Sequence, residues 1–218
     1  MTESRRQPGP ARAPRSPTAP GGAGRVISGA ARGRRLAAPG AGTRPLGDRV
    51  KQSLFAILEP EVRDRSFLDV FAGSGAGGIE ALSRGAADAV FVEQHVAALQ
   101  TIERNLRTAS LLGLRARLVK GDAIAWLAEP EAARGFAAIL VDPPYDRPEL
   151  LERALERIGG RGPGSVLASD GVVVAKHFQK APPSAEFGLL RSGRALRFGD
   201  TTLTFYRWVA APEGQEDR

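Results

Sequence analysis

Apolar residues along this chain occur in short continuous runs separated by stretches with a helical period. Buried strands are predicted by the runs "SFLDVFAG", "DAVFVE", "RARLVKGD", "FAAILVD" and "GVVVAKH". Helices are predicted for "AGGIEALSRG", which ends at Gly85, for "VAALQTIERNLRTASLLG", which ends at Gly113, and for residues 123–128 and 148–158. Strands that alternate with helices in this way favour a largely parallel sheet with helices on both faces.

The pattern differs at the two ends of the chain. In "GRALRFGDTTLTFYRWV" two alternating runs flank Gly199-Asp200, which predicts an antiparallel hairpin at one edge of the sheet. Near the N-terminus, "RVISGAARGRRLAAPG" predicts a small β-hairpin. The residues that follow have a helical spacing, which predicts a helix from about Asp48 with Asp48 as its N-cap.

Length and composition limit the classes of protein to consider. The chain has 218 residues, about one domain with a small appendage, and we expect a monomer. It has no cysteine, which excludes disulfides and thiolate metal sites and fits a reducing, cytoplasmic compartment. With only His95 and His177 available, no metal centre is expected, and His177 is predicted to have a capping or surface role. No stretch approaches the ~20 apolar residues of a membrane span, so no membrane partner is predicted.

Positive charge is concentrated in the first quarter of the chain. Residues 1–24 carry four arginines against one acid, and residues 25–51 carry seven basic side chains against one acid. The rest of the chain has 20 basic and 22 acidic residues. Such an asymmetry favours a polyanionic partner, nucleic acid, over a merely solubilising arm. Residues 1–24 hold five prolines between positions 8 and 20 and are predicted to be disordered, as are residues 211–218.

A glycine-rich turn follows the first strand of the alternating region. Gly73, Gly75 and Gly78 fit the pattern G-x-G-x-x-G between a strand and a helix, where a ligand can approach the backbone and a helix N-terminus faces it. Glu93 lies 20 residues after Gly73, at the end of the next strand, where an acid accepts hydrogen bonds from ribose hydroxyls. The pattern fits a dinucleotide or S-adenosylmethionine. Asp69 favours the latter, because a carboxylate suits a cationic sulfonium.

The tetrad Asp142-Pro143-Pro144-Tyr145 ends a buried strand of the same predicted sheet. Two prolines remove two N–H groups and fix two φ angles, so the turn is stiff and offers acceptors beside an aromatic ring. The Asp142 carboxylate and the Pro143 carbonyl are placed to accept both hydrogens of an exocyclic amine on a purine base, and Tyr145 is placed to stack on that base. Catalysis would then rest on orientation and desolvation, without a metal. A proline turn with Asp142 as a simple cap is the structural alternative.

The ordered motifs "RVISGAARGRRL", "TRPLGDRVKQSLFAIL", "FLDVFAGSGAGGIEALSRGA", "VDPPYDRPEL" and "GDTTLTFYRW" resemble the bacterial 16S rRNA guanine-N2 methyltransferases of the small subunit. The resemblance spans about residues 25–208. It implies an α/β, Rossmann-like class I S-adenosylmethionine-dependent methyltransferase fold with a mostly parallel seven-stranded sheet. It also implies an RNA-binding hairpin and helix at 25–60 and a methyltransferase domain at 61–210, with 16S rRNA or the small ribosomal subunit as partner.

The resemblance assigns roles to named residues. Those expected around S-adenosylmethionine are Asp69, Phe71, Gly73, Ser74, Gly75, Glu93, Asp122 and Ala123. Those expected at the target amine are Asp142, Pro143, Pro144 and Tyr145, and those expected to contact RNA are Arg25, Arg32, Arg34, Arg35, Arg44 and Arg49. Asp122 is an equally good helix N-cap. Two positions depart from the family: Gly77 replaces a bulky aliphatic residue and is expected to loosen packing, and Lys176 replaces an acid.

Three other functions remain open from the sequence. An adenine-N6 or protein-glutamine methyltransferase would use a similar proline tetrad, although no inserted target-recognition domain is visible. A non-catalytic RNA-binding assembly factor would bind RNA without S-adenosylmethionine. A dinucleotide oxidoreductase would use the glycine turn and leave the tetrad unexplained.

Overall fold

The strands and helices of the structure coincide with the continuous apolar runs and the helically spaced apolar residues of the sequence. The structure is a computed structural model that describes residues 24–38, 40, 46–113 and 115–209. Its helices are α1 (Asp48–Val62), α2 (Ala76–Ser83), α3 (Val96–Thr108), α4 (Ala123–Trp126) and α5 (Glu149–Gly159), with a 3-10 turn at Pro130–Ala132. Its strands are β1 (Ser66–Val70), β2 (Asp88–Glu93), β3 (Ala116–Lys120), β4 (Phe136–Val141), β5 (Leu167–Phe178), β6 (Glu186–Phe187), β7 (Leu190–Phe198) and β8 (Thr201–Trp208).

The strands form one sheet in the order β3-β2-β1-β4-β5-β8-β7-β6. Strands β1 to β5 pair in parallel, and β5 to β8 pair antiparallel, so the predicted fold class and C-terminal hairpin are confirmed. The described sheet has one strand more than the seven predicted. This strand, β6, is too short to show an alternating pattern, and it exists because Phe187 pairs with Leu190.

Both faces of the sheet are covered, which explains the continuous apolar runs of the parallel strands. Every residue of β4 is buried. On one face the core includes residues of α1, α2 and α3, and on the other it includes residues of α4 and α5. Each fully buried aliphatic or Phe side chain in these clusters stabilises the fold by about 1.5–3 kcal/mol, so the two cores position the strand ends rigidly.

The N-terminal segment, residues 24–38, folds back on itself at the place of the predicted hairpin, without a regular strand on either side of the turn. It has a single antiparallel bridge, between Arg25 and Arg35. Three further backbone bonds cross the turn: Val26 N donates to Arg34 O, Gly33 N to Val26 O and Leu36 N to Gly24 O, each at 2.9 Å. Glu80 of α2 accepts from Ile27 N at 2.8 Å and from Ser28 N at 3.1 Å. The segment is therefore held both by its own backbone bonds across the turn and by a side chain of α2.

The start of α1 also differs from the prediction. Gly47 is the N-cap, and Asp48 is the first helical residue without a capping bond. The Asp48 carboxylate instead accepts from Arg25 N at 3.2 Å and pairs with the Arg25 guanidinium. The helix continues to Val62, two residues beyond the predicted domain boundary at 60.

Three predictions fall wholly or almost wholly outside the described residues: the tail at 1–24, of which only Gly24 is described, the tail at 211–218, and Arg44. Within the described ranges, no helix has the length and apolar character needed to cross a membrane.

Candidate active site

The glycine turn connects β1 to α2. Gly73 and Gly75 have φ values of 55° and 75°, the left-handed region in which a side chain is disfavoured. Phe71 adopts φ 62° without being glycine, a conformation that costs of order 1–3 kcal/mol and is typical of functional sites. Gly78 serves packing, because a Cβ there would lie 2.3 Å from the Phe91 ring. Gly73 and Gly75 thus serve the conformation of the turn, whereas Gly78 serves the packing of α2 on β2.

Gly77 does not loosen the packing, so that expectation is wrong. A Cβ at this position would lie 2.6 Å from Leu140 Cδ2 and 3.1 Å from Asp69 Oδ2. The side chains of Leu140 and Asp69 therefore occupy the space that a larger residue would fill.

Glu93, the last residue of β2, and Asp122, two residues after β3, lie at the same edge of the sheet. Glu93 is buried, and its carboxylate accepts from Gly73 N at 2.9 Å and from His95 N at 2.8 Å. It therefore ties the glycine turn to the end of β2 and keeps a fixed orientation. Asp122 is the N-cap of α4, accepting from Ala125 N at 2.9 Å. The structure therefore shows the N-cap role that was the alternative interpretation of Asp122.

Asp69 is a buried carboxylate at the centre of this edge. Its Oδ2 accepts from Gly78 N at 2.8 Å, and it forms no ion pair with any described residue. Burial raises the pKa of Asp69 to about 8, the Gly78 N–H opposes this shift, and the charges of Asp142 and Glu93 add to it. An isolated buried carboxylate of this kind is poised to receive a cation.

The tetrad stands beside the glycine turn because β4 is the neighbour of β1. Asp142 N donates to Val70 O at 3.3 Å, so the carboxyl ends of the two strands are adjacent. Asp142 Oδ1 accepts from Lys176 Nζ at 2.6 Å. Burial raises the pKa of the Asp142 carboxyl and the Lys176 ammonium lowers it, and burial has the larger effect. The lysine that departs from the family is thus in direct contact with the tetrad.

The Tyr145 ring is packed from more than one direction. Its centroid lies 4.2 Å from that of Phe178 and 4.6 Å from Lys176 Nζ, and its hydroxyl is 3.0 Å from Thr201 Oγ1. The close Phe178 ring leaves no space for a base between the two aromatic rings. A base that stacks on Tyr145 must use the other face or displace Phe178.

These groups line one cavity of about 660 Å³. It contains all the predicted catalytic and cofactor residues except Gly75, which lies at the N-terminus of α2, where an added Cβ would be 3.0 Å from Ile102. The acids in the lining outnumber the bases: they are Asp69, Glu93, Asp122, Asp142 and Asp146, against Arg147 and Lys176. The cavity is therefore suited to a ligand that carries positive charge. In the described part of the chain, no group of three His, Asp or Glu side chains is arranged to hold a metal ion.

The family described as Conserved hypothetical protein 95 matches residues 24–207 of this chain. The chain belongs to this family.

Individual relatives match over most of their length. YlbH of Bacillus subtilis (strain 168) is 38% identical over 185 residues, which are 84% of this chain and 98% of YlbH. Ribosomal RNA small subunit methyltransferase D of Escherichia coli (strain K12) is 42% identical over 139 residues, 63% of this chain and 68% of that protein. The solved structure of yhhF from Escherichia coli superposes with a TM-score of 0.72 at 32% identity, covering 84% of this chain and 97% of that one. The resemblance to small-subunit rRNA methyltransferases is confirmed, as is the Rossmann-like class I methyltransferase fold.

His177 is not a surface residue, so that part of the prediction is wrong. It is buried on β5, with Nδ1 2.8 Å from Phe178 O and Nε2 2.9 Å from Thr204 Oγ1. Burial lowers the pKa of the imidazole. Because neighbouring strand residues point to opposite faces, His177 and Lys176 lie on different sides of the sheet.

The predicted RNA-contacting arginines that the structure describes are exposed. Arg25 pairs with Asp48, whereas the others form no ion pair with a described residue: Arg32, Arg34, Arg35 and Arg49. Lys51, which contributed to the basic excess of this region, is fully buried with its ammonium bonded to Arg25 O. Its charge therefore stabilises the segment and is not available to a partner.

Sequence reasoning missed the side chains that join the N-terminal segment to the site. Asn105 of α3 donates from Nδ2 to Ala37 O and to Ser74 O, both at 2.9 Å, and accepts from Ala37 N at 2.8 Å. It bonds the segment and the glycine turn at the same time. A polar residue inside the predicted apolar face of α3 was the only signal for this role, and it does not identify the partners.

Proposed function

We propose that this protein transfers a methyl group from S-adenosylmethionine to the exocyclic N2 amine of a guanine in 16S ribosomal RNA. The observation that carries the proposal is the cavity itself, in which the glycine turn, three strand-end acids and the proline tetrad meet. The name of the Escherichia coli relative, Ribosomal RNA small subunit methyltransferase D, supports small-subunit rRNA as the substrate. The choice of guanine N2 rests on the sequence resemblance.

The residues present fit S-adenosylmethionine. Asp69 is a buried carboxylate without a cationic partner among the described residues, and a sulfonium would supply one. Glu93 would accept the ribose hydroxyls, Asp122 and Ala123 would contact the adenine, and Phe71, Gly73, Ser74 and Gly75 would surround the methionine part. When bound, S-adenosylmethionine would supply a methyl group on a positively charged sulfur: the N–C bond forms from the nitrogen lone pair as the C–S bond breaks, its electron pair stays on sulfur, and the methylated nitrogen then loses one proton to water.

The tetrad would orient the target amine. An amine conjugated to a purine is a weak nucleophile, because its lone pair is delocalised into the ring. Asp142 and the Pro143 carbonyl would accept its two hydrogens and so direct the lone pair toward the methyl group. Pro144 keeps the turn rigid, and Tyr145 would contact the base. A guanine in a duplex would first have to leave its stack.

The N-terminal segment would hold the RNA. Its exposed arginines suit phosphates, and Gly40 and Leu46, on either side of residues 41–45, line the cavity. RNA bound along residues 25–60 would therefore reach the site in the methyltransferase domain at 61–210.

The test is methyl transfer from tritiated S-adenosylmethionine to deproteinised 16S rRNA and to small subunits that lack the modification. Asp142→Ala is expected to reduce incorporation at least about 100-fold, the effect of misplacing a reacting group. Glu156→Gln is the matched control, since it removes an exposed carboxylate from α5 and is expected to leave incorporation unchanged. Undiminished incorporation by Asp142→Ala would exclude the tetrad as the catalytic site.

Analysis of the digested RNA separates the alternatives. N2-methylguanosine is the expected product. N6-methyladenosine would identify adenine as the target instead, and label on protein would identify a protein side chain. Calorimetry that detects RNA binding but no S-adenosylmethionine binding would instead identify a non-catalytic RNA-binding factor.

A further inference from the structure

Lys176 is a buried lysine that none of the roles proposed above uses. It lies near the end of β5, and only 5% of its side chain is exposed. Its ammonium is 2.6 Å from Asp142 Oδ1 and 4.6 Å from the centroid of the Tyr145 ring. It therefore contacts both the first and the last residue of the tetrad.

We infer that Lys176 is a positioning residue for Asp142: it binds Oδ1, leaves Oδ2 to accept from the target amine, and favours the ionised form of the carboxyl. This inference rests on the proposed methyl transfer. Asp142 Oδ2 forms no hydrogen bond with a described residue, so it is available to a ligand. A carboxylate held by one oxygen presents the other in a fixed direction, which is the requirement for orienting an amine.

The surroundings of Asp142 explain why it needs a cation. Asp69 on β1, Glu93 on β2 and Asp122 before α4 line the same cavity, and Asp146 follows the tetrad. The lining is thus rich in carboxyl groups. The positive groups in the described lining are Lys176 and Arg147, and Arg147 pairs with Glu149 instead, at 3.3 Å. Burial raises the pKa of Asp142 and the Lys176 ammonium lowers it, so without Lys176 the carboxyl would remain protonated over a wider pH range.

Lys176 itself is an ammonium and not a general base. Burial lowers its pKa, but Asp142 and Tyr145 together raise it above the ordinary value for lysine. A group that holds its proton at neutral pH cannot remove one from the amine. Its action is therefore exerted through Asp142.

The experiment compares the pH dependence of single-turnover methyl transfer in wild type, Lys176→Met, Lys176→Gln and Lys176→Arg between pH 5.5 and 9. We expect both neutral variants to lose at least tenfold more activity than wild type between pH 8.5 and pH 6, because Asp142 then takes up a proton. Lys176→Arg keeps the charge and is expected to retain the wild-type pH profile at a lower maximum. Lys180→Met removes an exposed lysine just beyond the same strand and should match wild type throughout.

A second readout does not depend on catalysis. In protein with 13C-labelled aspartate carboxyls, the NMR titration of Asp142, assigned by its loss in Asp142→Asn, should move to higher pH in Lys176→Met and Lys176→Gln. If wild type transfers no methyl group to rRNA but this shift occurs, the proposed function fails and the electrostatic role of Lys176 stands. Neutral variants in which neither the Asp142 titration nor the pH profile changes would overturn the inference. Lys176→Gln keeps a hydrogen-bond donor, so the test survives if Lys176→Met does not fold.

Discussion

Asp69 makes the proposed binding of S-adenosylmethionine dependent on pH, with a direction that follows from the structure. Its pKa is raised to about 8, mainly by burial, so the site holds a neutral carboxyl over most of the physiological range when no cation is present. A sulfonium favours the ionised form. Binding should therefore tighten as pH rises toward 8, and the perturbation that removes this effect is Asp69→Asn.

The magnitude follows from the ionised fraction. With a pKa of about 8, about 1% of Asp69 is ionised at pH 6, about 10% at pH 7 and about half at pH 8. If only the ionised form binds, the apparent dissociation constant is the intrinsic one divided by this fraction. It should fall about tenfold from pH 6 to pH 7, and only about twofold from pH 8 to pH 9.

Calorimetry at pH 6, 7, 8 and 9 measures this dependence directly. S-adenosylhomocysteine, which lacks the sulfonium charge, is the matched ligand and should show a much weaker dependence. Asp69→Asn should bind S-adenosylmethionine more weakly and lose the slope. A wild-type dissociation constant that is constant over this range, or a slope that persists in Asp69→Asn, would refute the reasoning.

The same shift has a consequence for stability without ligand. Because native Asp69 retains its proton up to about pH 8 whereas the unfolded chain releases it near pH 3.8, the native state binds more protons between these values. The contribution of Asp69 to the free energy of unfolding therefore decreases as pH rises through this window. Asp69→Asn should flatten that part of the pH–stability curve, as measured by urea titration.

Three further predictions concern packing and RNA binding. Gly78→Ala should reduce the free energy of unfolding, measured by urea titration, by about 1–3 kcal/mol, because the added Cβ would lie 2.3 Å from the Phe91 ring. The double variant Gly78→Ala with Phe91→Leu should recover part of this loss. Glu80→Ala should reduce the free energy of unfolding by about 1–3 kcal/mol, because two backbone N–H groups lose their acceptor while Arg84 keeps its ion pair with Glu59. Amide exchange should then accelerate in residues 26–36, and equal exchange in both proteins would contradict this. The third variant replaces the exposed Arg32, Arg34 and Arg35 together by alanine. It should weaken rRNA binding and reduce the slope of log affinity against log salt concentration by about 2 to 3. An unchanged slope would show that the RNA binds elsewhere.

The sequence by itself determined the strands and the edge at which the site forms. Short continuous apolar runs rich in Val, Ile and Phe are typical of strands buried on both faces, and β1, β2, β4 and β5 occur in this way. Parallel strands carry their carboxyl ends to one edge, so Asp69, Glu93 and Asp142 were expected at the same edge, and the strand order β2-β1-β4 makes them neighbours. The glycine motif also indicated a tight turn after β1, where Gly73 and Gly75 have positive φ values.

Only the tertiary structure decided which side chains meet across that edge. Lys176 reaches Asp142, Glu80 holds Ile27 and Asn105 holds Ala37 because of how elements far apart in the chain are paired and packed. A shift of one residue in the pairing of β5 would exchange the faces of Lys176 and His177, so no local pattern predicts which of them contacts the tetrad. The burial of Lys51, the change of role of Asp48 and the two-residue strand β6 have the same origin. Each depends on a partner many residues away, whose distance and direction are set by the packing of two cores and not by the residue itself.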